Sequence, residues 1–351
     1  MNKLSQESNQ LNTYNTESDE YEIVDFIIPE DLAGKRIDQA LSLIMTNISR
    51  SKLTSWLKDG LVSLDNTTEI RPKQIIWGGE QVTINVPQYE VVTYAPEKMD
   101  LDIVYQDDDI IVINKPAGLI VHPGNGNWSG TLLNGLIYEF PELKALARAG
   151  IVHRLDKDTT GLMVVARTEL ATNNLVTQLQ QRTVSRIYRA IVEGSPHKEG
   201  IINKPLGRDA NNRTKMAVLE YGGKEAITNY RVLEYFNGFS YVECKLQTGR
   251  THQIRVHMKS IGHPLVGDPT YGTKKINYSA DIVAAIQELD RQALHAKKLA
   301  FNHPVTGKLT NFSTRLPDDI KNLLDVLNFE KFDVGYDDEA DDENWENIYA
   351  R

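Results

Sequence analysis

The sequence predicts an α+β protein in two parts, a small amino-terminal module followed by a larger, strand-rich domain. Beyond residue 98, apolar runs of strand length follow one another with few helical patterns between them, unlike the strict alternation of a parallel α/β fold. Before residue 88, two short segments of helical spacing precede two short strands, and residues 88–98, without periodicity and with a proline at 96, read as a linker. A chain of 351 residues with 40% hydrophobic content can bury a sizeable core in at least one of two domains.

In chain order, residues 1–24 read as a disordered acidic tail and 25–87 as the compact module. Ile37, Leu41 and Ile44 fall at helical spacing, and a second helix, around Lys52 to Asp59, starts after Ser49 and stops at Gly60. Leu61 to Leu64 turns at Asp65-Asn66, and Gly78-Gly79 leads into the alternating strand Gln81 to Val86, ended by Pro87. In the larger domain, 99–330, Leu101 to Tyr105 and Ile110 to Asn114 flank Asp107-Asp108-Asp109 as a hairpin. Thr168 is the expected cap of a helix carrying Ala171, Leu175 and Leu179, and Ser185 to Val192 is a strand that sets Tyr188 and Ala190 on one face. Tyr241 to Leu246 alternates as a strand, which makes Cys244 a packed side chain. Ile254, Met258 and Ile261 give the buried stripe of a helix stopped by Gly262 and Pro264. Residues 331–351 form a second acidic tail, whose run Asp337 to Trp345 reads as solvated.

The formal net charge of −9 is concentrated at the ends. Residues 1–30 hold one Lys against seven acids and residues 331–351 one Lys and one Arg against eight, which leaves 31–330 at +3. A mildly basic body is compatible with RNA, because local patches rather than totals attract phosphate. Polar, acidic first residues and a single cysteine argue for the cytoplasm, and no run of about 20 apolar residues is present to span a membrane.

Chemistry is expected at Ile151-Val152-His153-Arg154-Leu155-Asp156-Lys157-Asp158-Thr159-Thr160-Gly161, a dense polar turn that runs into the apolar strand Leu162 to Ala166. Gly161 closes it, since glycine takes a positive φ without steric cost. A carboxylate such as Asp156, held at a strand edge beside a guanidinium, can act as nucleophile or base. Three other chemistries are set aside. Asp156-x-Asp158-x-Thr160-Gly161 begins like a calcium loop, but the twelfth position is Arg167 rather than a bidentate Glu. His153-Arg154-Leu155-Asp156 inverts the last two letters of the kinase loop, and no glycine-rich phosphate loop or Asp-Phe-Gly accompanies it. Asp156-Lys157 brushes against the aspartyl-phosphate signature of ion pumps, in a chain without membrane spans. His252 and His257 are five apart, off the spacing for two ligands on one helical face, so zinc is not expected.

The same stretch resembles the central motif of the RluA-type pseudouridine synthases, in which the Asp of His-Arg-Leu-Asp, here Asp156, is the catalytic carboxylate. The resemblance continues through Ile113-Asn114-Lys115-Pro116, Val121-His122-Pro123-Gly124, the run Thr248 to His257, His263 to Asp268 and Arg291 to Ala296. It implies a catalytic domain built on a long, bent, mostly antiparallel sheet with a central cleft. It implies also that Tyr188 stacks on a flipped uracil and that Arg255 pairs with Asp156, fixing its rotamer. Arg154 is then a candidate to fill the vacated helical space or hold a phosphate, and Arg250 to face RNA phosphate or cap its turn. The amino-terminal module resembles an S4 RNA-binding domain, through Gly34-Lys35-Arg36-Ile37-Asp38 and Ser49-Arg50-Ser51, although Val62-Ser63-Leu64-Asp65-Asn66 stands where such modules commonly carry Val-Asn-Gly. There Arg36, Arg50, Lys52 and Lys58 would contact phosphates without reading sequence.

The reaction so implied converts uridine to pseudouridine in large-subunit (23S) ribosomal RNA, free or in a pre-ribosomal particle. It needs no redox cofactor or metal, no membrane, and only a monomer. The alternatives are the same reaction on transfer RNA or another ribosomal site, or a non-catalytic RNA-binding assembly factor.

Overall fold

The computed structural model describes residues 12–15, 21–45, 48, 50–87, 94–123, 129–212, 214–273 and 278–329. The acidic run Asp337 to Trp345, the helix start at Ser49 and the loop at Gly124 therefore lie outside the described residues. The chain divides into two compact units, 1–93 and 94–351.

The first unit holds strands β1 (Asn12–Asn15) and β2 (Tyr21–Ile27), helices α1 (Ile37–Ile44) and α2 (Arg50–Lys58), and strands β3 (Val62–Leu64) and β4 (Gln81–Pro87). The strands form one antiparallel sheet in the order β1-β2-β4-β3. Residues 1–24 are thus not an unstructured tail throughout: β2 begins at Tyr21 and pairs with β4 along all seven of its residues, and β1 pairs with β2. The acids Glu22 and Asp25 hid this strand in the sequence, yet Val24 between them is buried with Val82 and Ile84 of β4. Ile37, Ala40 and Leu41 of α1 and Leu53, Trp56 and Leu57 of α2 close the same core. Asp65 and Asn66 both take positive φ, and Leu64 and Thr67 exchange two backbone hydrogen bonds of 2.9 Å across them, the two-residue turn that a right-twisted hairpin favours.

The second unit is built on strands β5 (Ile103–Gln106), β6 (Ile110–Lys115), β7 (Thr160–Ala166), β8 (Ser185–Glu193) and β9 (Glu199–Asn203), a separate ribbon β10 (Leu206–Arg208) and β11 (Met216–Val218), then β12 (Ile227–Tyr235), β13 (Phe239–Leu246), β14 (Leu294–Asn302) and β15 (Leu309–Ser313). Its helices are α3 (Leu132–Glu139), α4 (Glu169–Gln180), α5 (Gln253–Ser260), α6 (Ala280–Leu289) and α7 (Asp318–Phe329). The large sheet runs β5-β6-β7-β14-β8-β13-β12-β9 with β15 on β14, antiparallel except between β7 and β14. β6 and β7 read as continuous apolar runs because both of their faces are covered. Ile111, Ile113, Met163 and Val165 pack with α3, while Ile110, Val112, Leu162 and Val164 pack with Leu175 of α4. α5 lies on the α3 face through Ile254 and Met258, and α6 and α7 cover Ile191, Phe239 and Tyr241 on the other. Cys244 is buried in this core, which pushes its thiol up to about 12.

The expected linker is shorter than its reading. Residues 94–98 belong to the second unit, where Asn134 Nδ2 donates to Ala95 O (2.9 Å) and Gly130 N to Glu97 Oε2 (2.7 Å); residues 88–93 lie outside the described ones. Among the described residues no helix is long and apolar enough to cross a membrane.

Gly161 lies at the parallel pairing of β7 with β14, opposite Ala296, with φ +112°. A Cβ there would stand 2.3 Å from Ala296 O and 2.6 Å from Ala296 N, backbone atoms that cannot step aside. Gly161→Ala is expected to lower the unfolding free energy by at least about 2 kcal/mol, through both the strained φ and the overlap. A denaturant midpoint equal to that of the unaltered protein would contradict this packing.

Candidate active site

The polar turn is clamped from three sides. Lys115, at the end of β6 and almost fully buried, donates from Nζ to Pro116 O (2.7 Å), Leu119 O (3.0 Å) and Lys157 O (2.7 Å), so every proton of the ammonium has an acceptor. Arg291 Nη1 donates to Asp158 O (3.2 Å), and Gln292 Nε2 donates to Thr159 Oγ1 (3.1 Å). Buried acceptors left without donors each cost about 1–3 kcal/mol. Lys115→Met is therefore expected to destabilise the protein by about 3 kcal/mol and to lower turnover through a loosened loop, read by chemical denaturation alongside kcat; unchanged stability would count against the clamp.

The turn presents Asp156, whose side chain is 17% exposed, to a cleft of about 790 Å³. Its Oδ2 accepts from Arg255 Nη1 at 3.0 Å. The rest of the Arg255 fork is spent on Asp268, with Nε to Oδ2 at 2.7 Å and Nη2 to Oδ1 at 2.8 Å. Asp268, its side chain fully buried, also accepts from Thr270 N (2.8 Å) and Tyr271 N (2.9 Å). Arg255 is thus held in orientation by one carboxylate and offers its remaining Nη1 to the other. Helix α5 can place it so because residues 253–258 are all buried, and because Gln253 ties the helix start to Thr248, Arg250 N, Ile227 O and Thr228.

His252 precedes α5 in the left-handed region, at φ 56°, which turns its ring toward the carboxylate. The Tyr271 hydroxyl accepts from Met216 N (2.8 Å) and shares a hydrogen bond with His252 Nδ1 (2.8 Å), while His252 Nε2 stands 3.9 Å from Asp156 Oδ1. Burial, opposed by the charges of Asp156 and Asp268, lowers the His252 pKa, so the ring is neutral at pH 7. Burial likewise holds His122 at about 4, helped by Arg148 and Arg154, and His153 at about 3, helped by Arg186.

Tyr188 of β8 is 6% exposed and lines the cleft from the sheet, with burial raising its phenol pKa. The arginines Arg148, Arg154, Arg182, Arg186, Arg250 and Arg255 also line the cleft, against a single carboxylate among the described residues, Asp156. Clustered guanidinium groups of this kind give a surface a positive potential.

The structure thus brings Asp156, Tyr188, Arg255, Arg154 and Arg250 to one cleft. Arg154 is exposed, with no ion-pair partner among the described residues. Arg250 Nε donates to Glu225 O (2.9 Å), a carbonyl of the segment before β12 rather than of its own turn. Arg36, Arg50, Lys52 and Lys58 lie in the first unit. Of these, Arg36 and Arg50 share the buried Asp38, with Nη2 distances of 2.8 and 2.9 Å, Lys52 lies 5.6 Å from the Trp56 ring centroid, and Lys58 is exposed. Asp268, Tyr271, His252 and Lys115 were given no role from sequence. Only their place in the quoted motifs marked most of them, because the bonds that define them join residues 13 to 42 positions apart.

Residues 109–260 match the family described as RNA pseudouridylate synthase. The chain is 50% identical over 326 residues to the ribosomal large subunit pseudouridine synthase D of Neisseria meningitidis, covering 92% of this chain and 86% of that protein. It is 48% identical over 303 residues to the protein of the same name from Pseudomonas aeruginosa, covering 86% of this chain and 94% of the other. Among solved structures, human RNA Pseudouridylate Synthase Domain Containing 4 aligns with a TM-score of 0.52 at 26% identity, over 65% of this chain and 93% of its own. The chain belongs to the RNA pseudouridylate synthase family, and it is an isomerase.

Proposed function

We propose that this protein isomerises specific uridines of large-subunit (23S) ribosomal RNA to pseudouridine, with Asp156 as the acting carboxylate. The observation that carries the reading is Asp156 itself, the one acid among the described residues that line an arginine-rich cleft, fixed by Arg255. The substrate follows the printed names of the relatives that match most of the chain. The target nucleotide leaves its stack at a cost of a few kcal/mol, offset by contacts in the cleft. Tyr188 supports the uracil face, Arg154 takes the vacated space or a phosphate, and Asp156 acts as nucleophile or base while the N1–C1′ bond breaks, the uracil turns and C5 bonds to C1′; C5 then gives up its proton to solvent and N1 takes one up. Nothing is oxidised or reduced in that sequence, so the chain's own residues suffice. The first unit acts as an S4-type module, in which Asp38 orients the forks of Arg36 and Arg50 and Lys52 and Lys58 add charge along the RNA backbone. The protein works as a cytoplasmic monomer.

The test is mapping of carbodiimide-dependent reverse-transcription stops on ribosomal and transfer RNA from cells with the gene intact, deleted, or restored as Asp156→Asn. Stops in the large-subunit RNA that vanish on deletion and stay absent with the variant support substrate and residue together. Stops lost only from transfer RNA would move the substrate, and stops unchanged throughout would overturn the reading.

A further inference from the structure

Four arginines are buried among the described residues: Arg186, Arg189, Arg255 and Arg291, at 7, 8, 4 and 4% exposure. Three have carboxylate partners. Arg189 pairs with Glu243, Arg255 with Asp268 and Asp156, and Arg291 with Asp319. The Arg186 guanidinium has no hydrogen bond or ion pair among the described residues, and its buried Nε is an orphan. A guanidinium stays charged at any working pH, and burying it without a counter-charge is costly.

Arg186 sits two residues before Tyr188 on β8, on the same face of the strand, and lines the same cleft. Among the described residues its surroundings offer no internal partner. Gly249 flanks it so closely that a Cβ there would lie 2.6 Å from Arg186 Nη1. His153 accepts from Val164 N through Nε2 (3.1 Å), so its remaining ring nitrogen carries a proton and can only donate. The one carboxylate of the cleft, Asp156, is already bonded to Arg255. The anion that satisfies Arg186 must therefore arrive with the ligand. In RNA the permanent anion is the phosphate, whose oxygens match a guanidinium fork, whereas uracil is neutral in the ground state.

We infer that Arg186 is a pre-formed anchor for one backbone phosphate of the RNA beside the flipped nucleotide, buried next to the Tyr188 platform. This rests on the cleft being where RNA is bound. The anchor fixes the nucleotide's depth in the cleft before any bond changes, so its contribution appears in binding and not in the chemical step. Arg154 and Arg250, at the exposed part of the cleft, meet phosphates that stay in water, and a contact made there is worth less than a desolvated one.

The experiment compares the unaltered protein with Arg186→Gln and Arg186→Lys. It measures tritium release from 5-³H-uridine-labelled large-subunit rRNA transcript, the dependence of Kd for that transcript on potassium chloride, and Tm without RNA. For Arg186→Gln, KM is expected to rise about tenfold or more with kcat within about threefold, and the slope of log Kd against log salt to fall by about one. Its Tm should hold or rise, because a buried unpaired charge has been removed. Arg186→Lys should recover part of KM and the full salt slope. Unchanged KM and slope overturn the anchor. A fall in kcat at constant KM overturns it too, in favour of a group acting on the base, and a drop in Tm that parallels the loss of activity makes Arg186 structural. If the unaltered protein releases no tritium, the uridine-isomerising reading on this RNA fails instead, and the salt slope still decides the phosphate contact.

Discussion

Asp156→Asn is expected to abolish turnover, by at least about 10³-fold in kcat, and to leave RNA affinity within a few-fold of the unaltered protein. Asn has nearly the same shape as Asp and keeps an acceptor for Arg255 Nη1, but it can neither attack as an anion nor take up a proton, and loss of such a group removes most of the acceleration it supplies. Collapse of the cleft does not intervene. Arg255 is still neutralised by the buried Asp268, with bonds of 2.7 and 2.8 Å, so it keeps its place when the charge on residue 156 goes. The arginines that line the cleft are unaltered as well. Single-turnover tritium release, salt-matched binding and Tm measured on one preparation separate the three effects. Pseudouridine formed at near the unaltered rate would remove Asp156 from the chemistry, and a joint loss of binding and Tm would make it structural.

The sequence made the loop that carries Asp156 visible because its signal is local: charges crowded between apolar runs, closed by a glycine whose φ proves to be +112°. It made Tyr188 and Cys244 visible through strand alternation and α5 through its stripe, and all three lie in the same core. What stayed hidden depends on distant pairing. β2 could be recognised only once β4 supplied its partner, since its acids interrupt the apolar pattern. The orienting role of Asp268 needs α5 and the loop after Gly267 to meet, and Arg186 looks like any charged residue of a strand until its lack of a partner among the described residues is seen in three dimensions. The four cations of the first unit show the converse: composition marks them as basic, but only the fold reveals that Arg36 and Arg50 converge on one buried Asp38. Charge is legible in a sequence; who neutralises it is not.

Arg255→Lys should lower kcat by about 10²-fold, even though charge is conserved. The residue does two geometric tasks at once, bonding Asp268 through Nε and Nη2 and Asp156 through Nη1, and an ammonium on a flexible stem cannot span both carboxylates. Asp156 then loses the contact that fixes its rotamer, and misplacement of a reacting group by an ångström is enough for such a loss. Asp268→Asn attacks the same clamp from behind and is expected to cost about 3–5 kcal/mol of stability at pH 7, because a buried guanidinium is left half-compensated. Its pH dependence has a definite sign. Burial opposes ionisation of Asp268, but the Arg255 bonds and charge and the N–H groups of Tyr271 and Thr270 outweigh it and hold the carboxyl below its ordinary 3.8. A depressed folded-state pKa gives stability that is fully present above about pH 4 and is lost as pH falls through the folded value. The stability gap between the unaltered protein and Asp268→Asn should therefore be constant from pH 8 to about 5 and narrow in the acid limb. A gap that widened on acidification would reverse the assignment of Asp268 as the ionised partner, and with it the account of how Arg255 is held for Asp156.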